Sequence, residues 1–194
     1  MKIAIVHYHL QPGGVTRVIE NTLQAWEENG SEIEAVVLSG RAYPGGRLPN
    51  THVGEGLDYS SPSNAIDPRI LTERIRRSAR DALGQAPDLW HIHNHSLGKN
   101  PSLGATVSLL AERGERILLH PHDFAEDGRP GNYLSLSAVY QRMYPTGPNI
   151  HYAALNPVSI PQIHIPRAKK CKKTWYPYNL KKKGGGGGGG GGGG

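Results

Sequence analysis

The chain has 194 residues, with 22 Lys and Arg against 16 Asp and Glu for a net charge of +6, and a single cysteine, Cys171. One cysteine excludes an intramolecular disulfide framework and fits a reducing compartment. No apolar run approaches the roughly 20 residues of a membrane-spanning helix, and Met1 to Leu10 lacks the layout of a signal peptide, so a cytoplasmic protein is expected.

The charge is local. The eight Lys and Arg residues from Arg167 to Lys183 have no acid among them, and setting them aside leaves 14 basic against 16 acidic residues, a net of −2. The body is therefore mildly acidic, and the basic tail is either a solvated run or a point of peripheral contact with anionic lipid. With one Phe in the chain and no interleaved glycine-aromatic pattern, nucleic acid is not an expected partner.

Taken in chain order, Ile3 to Val6 is a short block of Ile, Ala and Val that predicts a buried strand. It ends in the stretch HYHLQPGG, and Val15, Val18, Ile19, Leu23 and Trp26 then recur at spacings of three and four, the stripe of an amphipathic helix. Gly30 stands where a helix C′ residue belongs, and Ile33 to Leu38 predicts the next strand. The first forty residues thus read as a βαβ unit with parallel strands and a right-handed crossover.

From Ser39 to Ala65 the chain is a long Gly-, Pro-, Asn- and Ser-rich connection with one short strand at His52 and Val53. Asp67 followed by Pro68 predicts a helix start, with Ile70, Leu71, Ile75, Ala79 and Leu83 as its apolar stripe. PDLWHIHNH predicts a strand, Asn100-Pro101 a second capped helix ending at Gly114, ERILLHPHDF a strand closed by Pro121, and Asn149 to Leu155 a weaker one. Strands alternating with helices at this rhythm predict a Rossmann-like, doubly wound parallel sheet covered on both faces. Residues 1–156 form the expected domain. Residues 157–183 read as a linker or an incomplete segment toward a second domain, and the poly-Gly run 184–194 as a linker or unassigned residues.

In such sheets ligands bind beyond the carboxyl ends of the strands, which selects His7 to Gly14, His93 to Lys99 and His120 to Arg129. Gly13 and Gly14 suit close approach of an anionic or hydroxyl-rich ligand to the following helix N-terminus, or they simply permit the turn. The spacing is neither GxGxxG nor a Walker loop, so a nicotinamide cofactor is not expected. HIHNH and HPH open an alternative. Alternation puts His91, His93 and His95 on one strand face, with His120 and His122 repeating it one strand later. A His-x-His pair at a strand end is also how amidohydrolase-type and PHP-type metal hydrolases begin their metal site. Against a hydrolase stands the shortage of Asp, Glu and His after Asp127; the plainer reading has His91 packed and His93 and His95 as polar lining.

Three segments resemble one family in the same order. MKIAIVHYHLQPGGVTRVIENTLQAW resembles the opening of the retaining glycosyltransferases of family four, with a first strand running into a Gly-Gly-Val corner and a helix. PDLWHIHNHSLG resembles their third-strand segment, and RILLHPHDF the strand ending in His-Asp or His-Thr. The resemblance implies the amino-terminal, acceptor-binding half of a GT-B architecture, acting on a nucleotide-sugar donor and a sugar or lipid acceptor with retention of configuration. It implies that Gly13 and Gly14 lie against donor phosphates or acceptor and that His122 hydrogen-bonds the donor sugar near the reacting centre. Asp123 and Arg129 would line the acceptor side, His95 would reach the same cleft, and neither metal nor other cofactor is required. The family's nucleotide-sugar site and Glu-x7-Glu motif belong to a second domain. Glu20 and Glu28 have that spacing only on the first helix, where solvent-facing charges are expected. A non-catalytic module binding sugar or nucleotide is the remaining reading.

Overall fold

The computed structural model describes residues 1–43, 45, 48–125, 130–136 and 142–155. In chain order they form β1 (Lys2–His7), α1 (Gly14–Glu28), β2 (Glu34–Ser39), β3 (Thr51–Val53), α2 (Pro68–Leu83), β4 (Leu89–His93), α3 (Pro101–Glu112), β5 (Ile117–His120), α4 (Pro130–Leu136) and β6 (Ile150–Tyr152). The strands make one sheet in the order β3-β2-β1-β4-β5-β6. Every pairing is parallel, with Ile3 opposite both Ala35 and Leu89, and Trp90 opposite Ile117. This is the expected α/β Rossmann-like arrangement. Its strand order reverses between β1 and β4, so a crevice opens there at the carboxyl edge.

Strand alternation divides the core in two. Ala4, Val6, Trp90, Ile92, Ile117 and Leu119 face α2 and α3 and form the larger apolar cluster with Leu71, Ile75, Leu103 and Val107. Ile3, Ile5 and Val37 face the other way and pack against Ile19, Leu23 and Trp26 of α1. Each fully buried Leu or Ile contributes roughly 1.5–3 kcal/mol of transfer free energy, which is what holds short strands of four to six residues in place.

Helix ends follow the capping residues. Asp67 accepts a hydrogen bond from Arg69 N at 2.6 Å and Pro68 occupies the first turn, while Gly84 closes α2 at φ 72°. Asn100 Oδ1 accepts from Ser102 N and Leu103 N, and its Nδ2 donates to the carbonyls of Gly56 and Asp58, both at 2.7 Å. One side chain thus starts α3 and anchors the long connection against it. Asp67→Ala is expected to lower stability by about 1 kcal/mol, the usual worth of an N-cap; a denaturant midpoint identical to that of the unsubstituted protein would show the cap to be idle.

Three local expectations are corrected. Ile70 is 51% exposed, because the buried face of α2 runs through Leu71, Thr72, Ile75, Ala79 and Leu83, at the i, i+4 rows that meet the sheet. Glu20 is not simply a solvent-facing charge: it accepts from Tyr43 Oη at 2.8 Å and pairs with Arg17 at 3.0 Å. The helix α4 has no counterpart among the expected elements; its Leu136 is buried with Ala125, Met143 and Tyr144. Among the described residues no helix is long and apolar enough to cross a membrane. Arg129, Cys171, the basic tail, and the segments 157–183 and 184–194 lie outside the described residues.

Candidate functional site

Because all strands run the same way, the loops after β1, β4 and β5 meet at one edge of the sheet. The residue that ties them together is Asn94, immediately after β4. Its φ of 54° is left-handed, a conformation that Asn tolerates better than most residues. In that pose Asn94 Oδ1 accepts from His122 N at 2.6 Å and Asp123 N at 3.1 Å, and its own N–H donates to the His120 carbonyl at 3.2 Å. Tyr8 Oη, buried, donates to the Asn94 carbonyl at 2.7 Å, which adds the end of β1 to the same knot. Burial raises the Tyr8 phenol far above its usual range, so it stays a donor.

The left-handed residue also corrects the histidine pattern. His91 and His93 do share a face, with ring centroids 4.3 Å apart. The chain reversal at Asn94 takes His95 out of the alternation. His95 is fully buried, its Nε2 lies 2.8 Å from the Met143 carbonyl, and its ring meets Tyr144 edge-on at 5.8 Å. It therefore packs beneath the rim, against the segment that leads to β6.

His122 and Asp123 sit at the rim itself. The His122 ring is part-buried, with Nε2 at 2.9 Å from His93 Nδ1, and Asn94 Nδ2 reaches Asp123 Oδ2 at 3.5 Å. Burial lowers the His122 imidazole to about 4, helped by His7 and opposed by Asp123. At neutral pH His122 is thus a neutral group offering one N–H and one lone pair, and its partner His93 settles which nitrogen carries which.

The glycine corner gives a cleaner result than its sequence. Gly13 is the N-cap of α1 with φ 172°, an extended angle open to any residue, and Gly14 begins the helix. A Cβ would meet only the Gln11 carbonyl at 3.8 Å at Gly13, and nothing within 4 Å at Gly14. Neither turn geometry nor packing demands glycine here, so what the pair does is leave the surface before α1 bare.

Sequence reasoning missed the far wall of the crevice. Asp58 and Tyr59, from the long connection, sit beside the end of β1: Tyr59 meets His9 at 4.7 Å and Tyr8 at 5.4 Å, and Lys99 Nζ lies 5.5 Å from the Tyr59 ring centre. Arg41 pairs with Asp58, which raises its guanidinium further. Burial raises the Tyr59 phenol, and Asp58 adds to the effect. The available signal was the length of the connection, since long ordered loops in compact domains are usually functional.

Behind the rim the imidazoles stack in two edge-to-edge pairs, His91 with His120 and His93 with His122, and His7 leans on His93. Burial lowers His7 and His95 to about 4, and His91 and His120 to about 3, from an ordinary 6.5. The unfolded chain therefore takes up protons at a higher pH than the folded one. Their contribution to stability is complete above about pH 6.5 and is lost as pH falls toward 4 and 3, at about 1.4 kcal/mol per pH unit for each histidine before coupling. Chelator-treated protein is expected to lose stability steeply between pH 7 and pH 5, ahead of carboxylate titration; a urea midpoint that stays flat over that interval would contradict neutral buried imidazoles.

Compared with known proteins, the chain is 26% identical over 169 residues to the mannosylglucosyl-3-phosphoglycerate synthase of Petrotoga mobilis, an alignment covering 78% of this chain and 32% of that protein. No protein-family model and no solved structure matches it. The chain is thus a distant, partial relative of a glycosyltransferase, and it spans about a third of that relative's length.

Proposed function

We propose that the chain is the amino-terminal, acceptor-side half of a retaining, family-four-type GT-B glycosyltransferase, acting on a nucleotide-sugar donor and a sugar or lipid acceptor. The observation that carries this reading is that a chain similar over most of its length to a glycosyltransferase brings three strand-end loops together at one polar crevice, at the reversal point of a parallel sheet.

In this reading His122 is the group nearest the chemistry. Held by its own backbone through Asn94 and by its ring through His93, it presents a neutral imidazole edge whose N–H bonds a donor-sugar hydroxyl as charge develops at the anomeric carbon. Asp123 and Arg129 take the acceptor side, the bare corner at Gly13 and Gly14 admits phosphate or acceptor, and His95 supports the loop from beneath rather than touching substrate. The leaving diphosphate is held by a second Rossmann-like domain, and the transfer uses no metal or other cofactor. The relative's name points to glycosylated 3-phosphoglycerate acceptors as the first to try.

The test is a transfer assay on the full-length gene product with GDP- and UDP-sugars and sugar, lipid and phosphoglycerate-bearing acceptors. The product's anomeric configuration is read by NMR. Retained configuration supports the reading. Inverted product removes the family-four assignment, and no transfer or donor hydrolysis with any pair removes the enzyme reading.

A further inference from the structure

The histidines behind the rim form a cluster of which the transfer reading uses only His93, through the nitrogen that faces His122. His91 Nε2 and His120 Nδ1 are 3.1 Å apart, and their rings are only 4° from parallel. His93 leans over both, its ring centre 4.3 Å from that of His91 and 4.9 Å from that of His120. One nitrogen from each of the three lies within 4.8 Å of the other two, and all three side chains are buried. His93 Nε2 is buried without a hydrogen-bond partner among the described residues, an open site on a ring whose other nitrogen faces His122. His91 and His120 also line a pocket of about 380 Å³ on the α1 face, between Trp26, Leu118 and Ala153, so the cluster has an approach from solvent.

We propose that His91, His93 and His120 bind one first-row transition metal ion, zinc being the default for an all-imidazole site.

The geometry needs little adjustment. Metal–nitrogen bonds of about 2.0–2.1 Å place tetrahedral ligands about 3.3 Å apart. The His91–His120 pair, at 3.1 Å, is close to that spacing already, and a His93 nitrogen, within 4.8 Å of both, has at most about 1.5 Å left to close. Binding exchanges the N–H···N bond between His91 and His120 for two lone pairs on the ion. The shared proton moves to the far nitrogen of its ring, so both imidazoles remain neutral. Burial favours that neutral form, the one that ligates metal. Three imidazoles leave a fourth position, for which the pocket has room for water. With His93 ligating through Nε2, its Nδ1–H becomes the donor to His122 Nε2, so the ion acts as a clamp behind the rim. Metal binding at this site does not require the transfer reading above, and the ion touches no substrate: it reaches His122 only through His93.

The experiment titrates chelator-treated, full-length chain with Co2+, followed by visible absorption, then displaces it with Zn2+. Expected are one equivalent bound, low-coordinate ligand-field bands, a higher thermal midpoint with Zn2+, and affinity at least 100-fold weaker in His120→Ala while His52→Ala, on exposed β3, binds as before. X-ray absorption of the zinc-loaded, unsubstituted protein is the readout that does not depend on a buried variant folding; three imidazole nitrogens are expected. No retained metal after gel filtration, equal affinity in His120→Ala and His91→Asn, or a sulfur ligand from Cys171 would each overturn the site.

Discussion

His122→Ala in the full-length protein is expected to lower sugar-transfer turnover roughly 100- to 1,000-fold, the usual cost of removing one donor from a developing charge or one acid–base group. The substitution takes away the imidazole edge at the rim and leaves His93 Nδ1 without its partner at 2.9 Å. An unpaired buried group of this kind costs about 1–3 kcal/mol, a fraction of the 5–15 kcal/mol that holds a domain together, so the variant still folds and its loss is read as chemistry. His122→Asn keeps a donor near the same place and should recover part of the turnover with an unchanged KM for donor. Full activity in His122→Ala, measured alongside a normal circular dichroism spectrum, removes His122 from the site.

The second large effect is structural. Asn94→Ala takes the acceptor away from two backbone N–H groups, those of His122 and Asp123, and puts a Cβ-bearing residue without a local hydrogen bond at φ 54°. Two N–H groups at about 1–3 kcal/mol each, reduced because rim water reaches part of them, plus about 1 kcal/mol for the left-handed backbone, give a loss of roughly 2–4 kcal/mol. Asn94→Gly relieves the backbone component and should be milder by about 1 kcal/mol. Asn94→Asp keeps the acceptor but sets a carboxylate beside Asp123, whose Oδ2 is 3.5 Å from Asn94 Nδ2, so its loss should shrink with added salt. Urea unfolding of the three variants orders them; an Asn94→Ala loss below 1 kcal/mol would mean that the β4 and β5 ends hold together without this knot.

Most of the elements were legible because each carries a local signal. The run from Ile3 to Val6, the pairs Asp67-Pro68 and Asn100-Pro101, and the stops at Gly30 and Gly114 all act within one turn or one strand, and all recur in the fold. The misses share a different cause. Ile70 is apolar yet points outward, since only packing against the sheet decides which side of α2 is inside. His95 obeys strand alternation on paper, but Asn94 leaves the strand and turns it toward Met143. Tyr59 sits beside His9, fifty residues away in sequence, because Asn100 pulls the connection against α3.

Apart from α4, the order of strands and helices, the caps of α2 and α3 and the carboxyl-edge location of the histidines followed from sequence alone, since periodicity and capping are properties of neighbouring residues. Three things required the assembled sheet: the left-handed Asn94 that knots β1, β4 and β5, the pairing of His93 with His122, and the grouping of His91, His93 and His120 into one cluster. Each depends on parallel register between strands that are distant in the chain. That register is set by which apolar faces can be buried together, a choice that no stretch of the sequence encodes by itself.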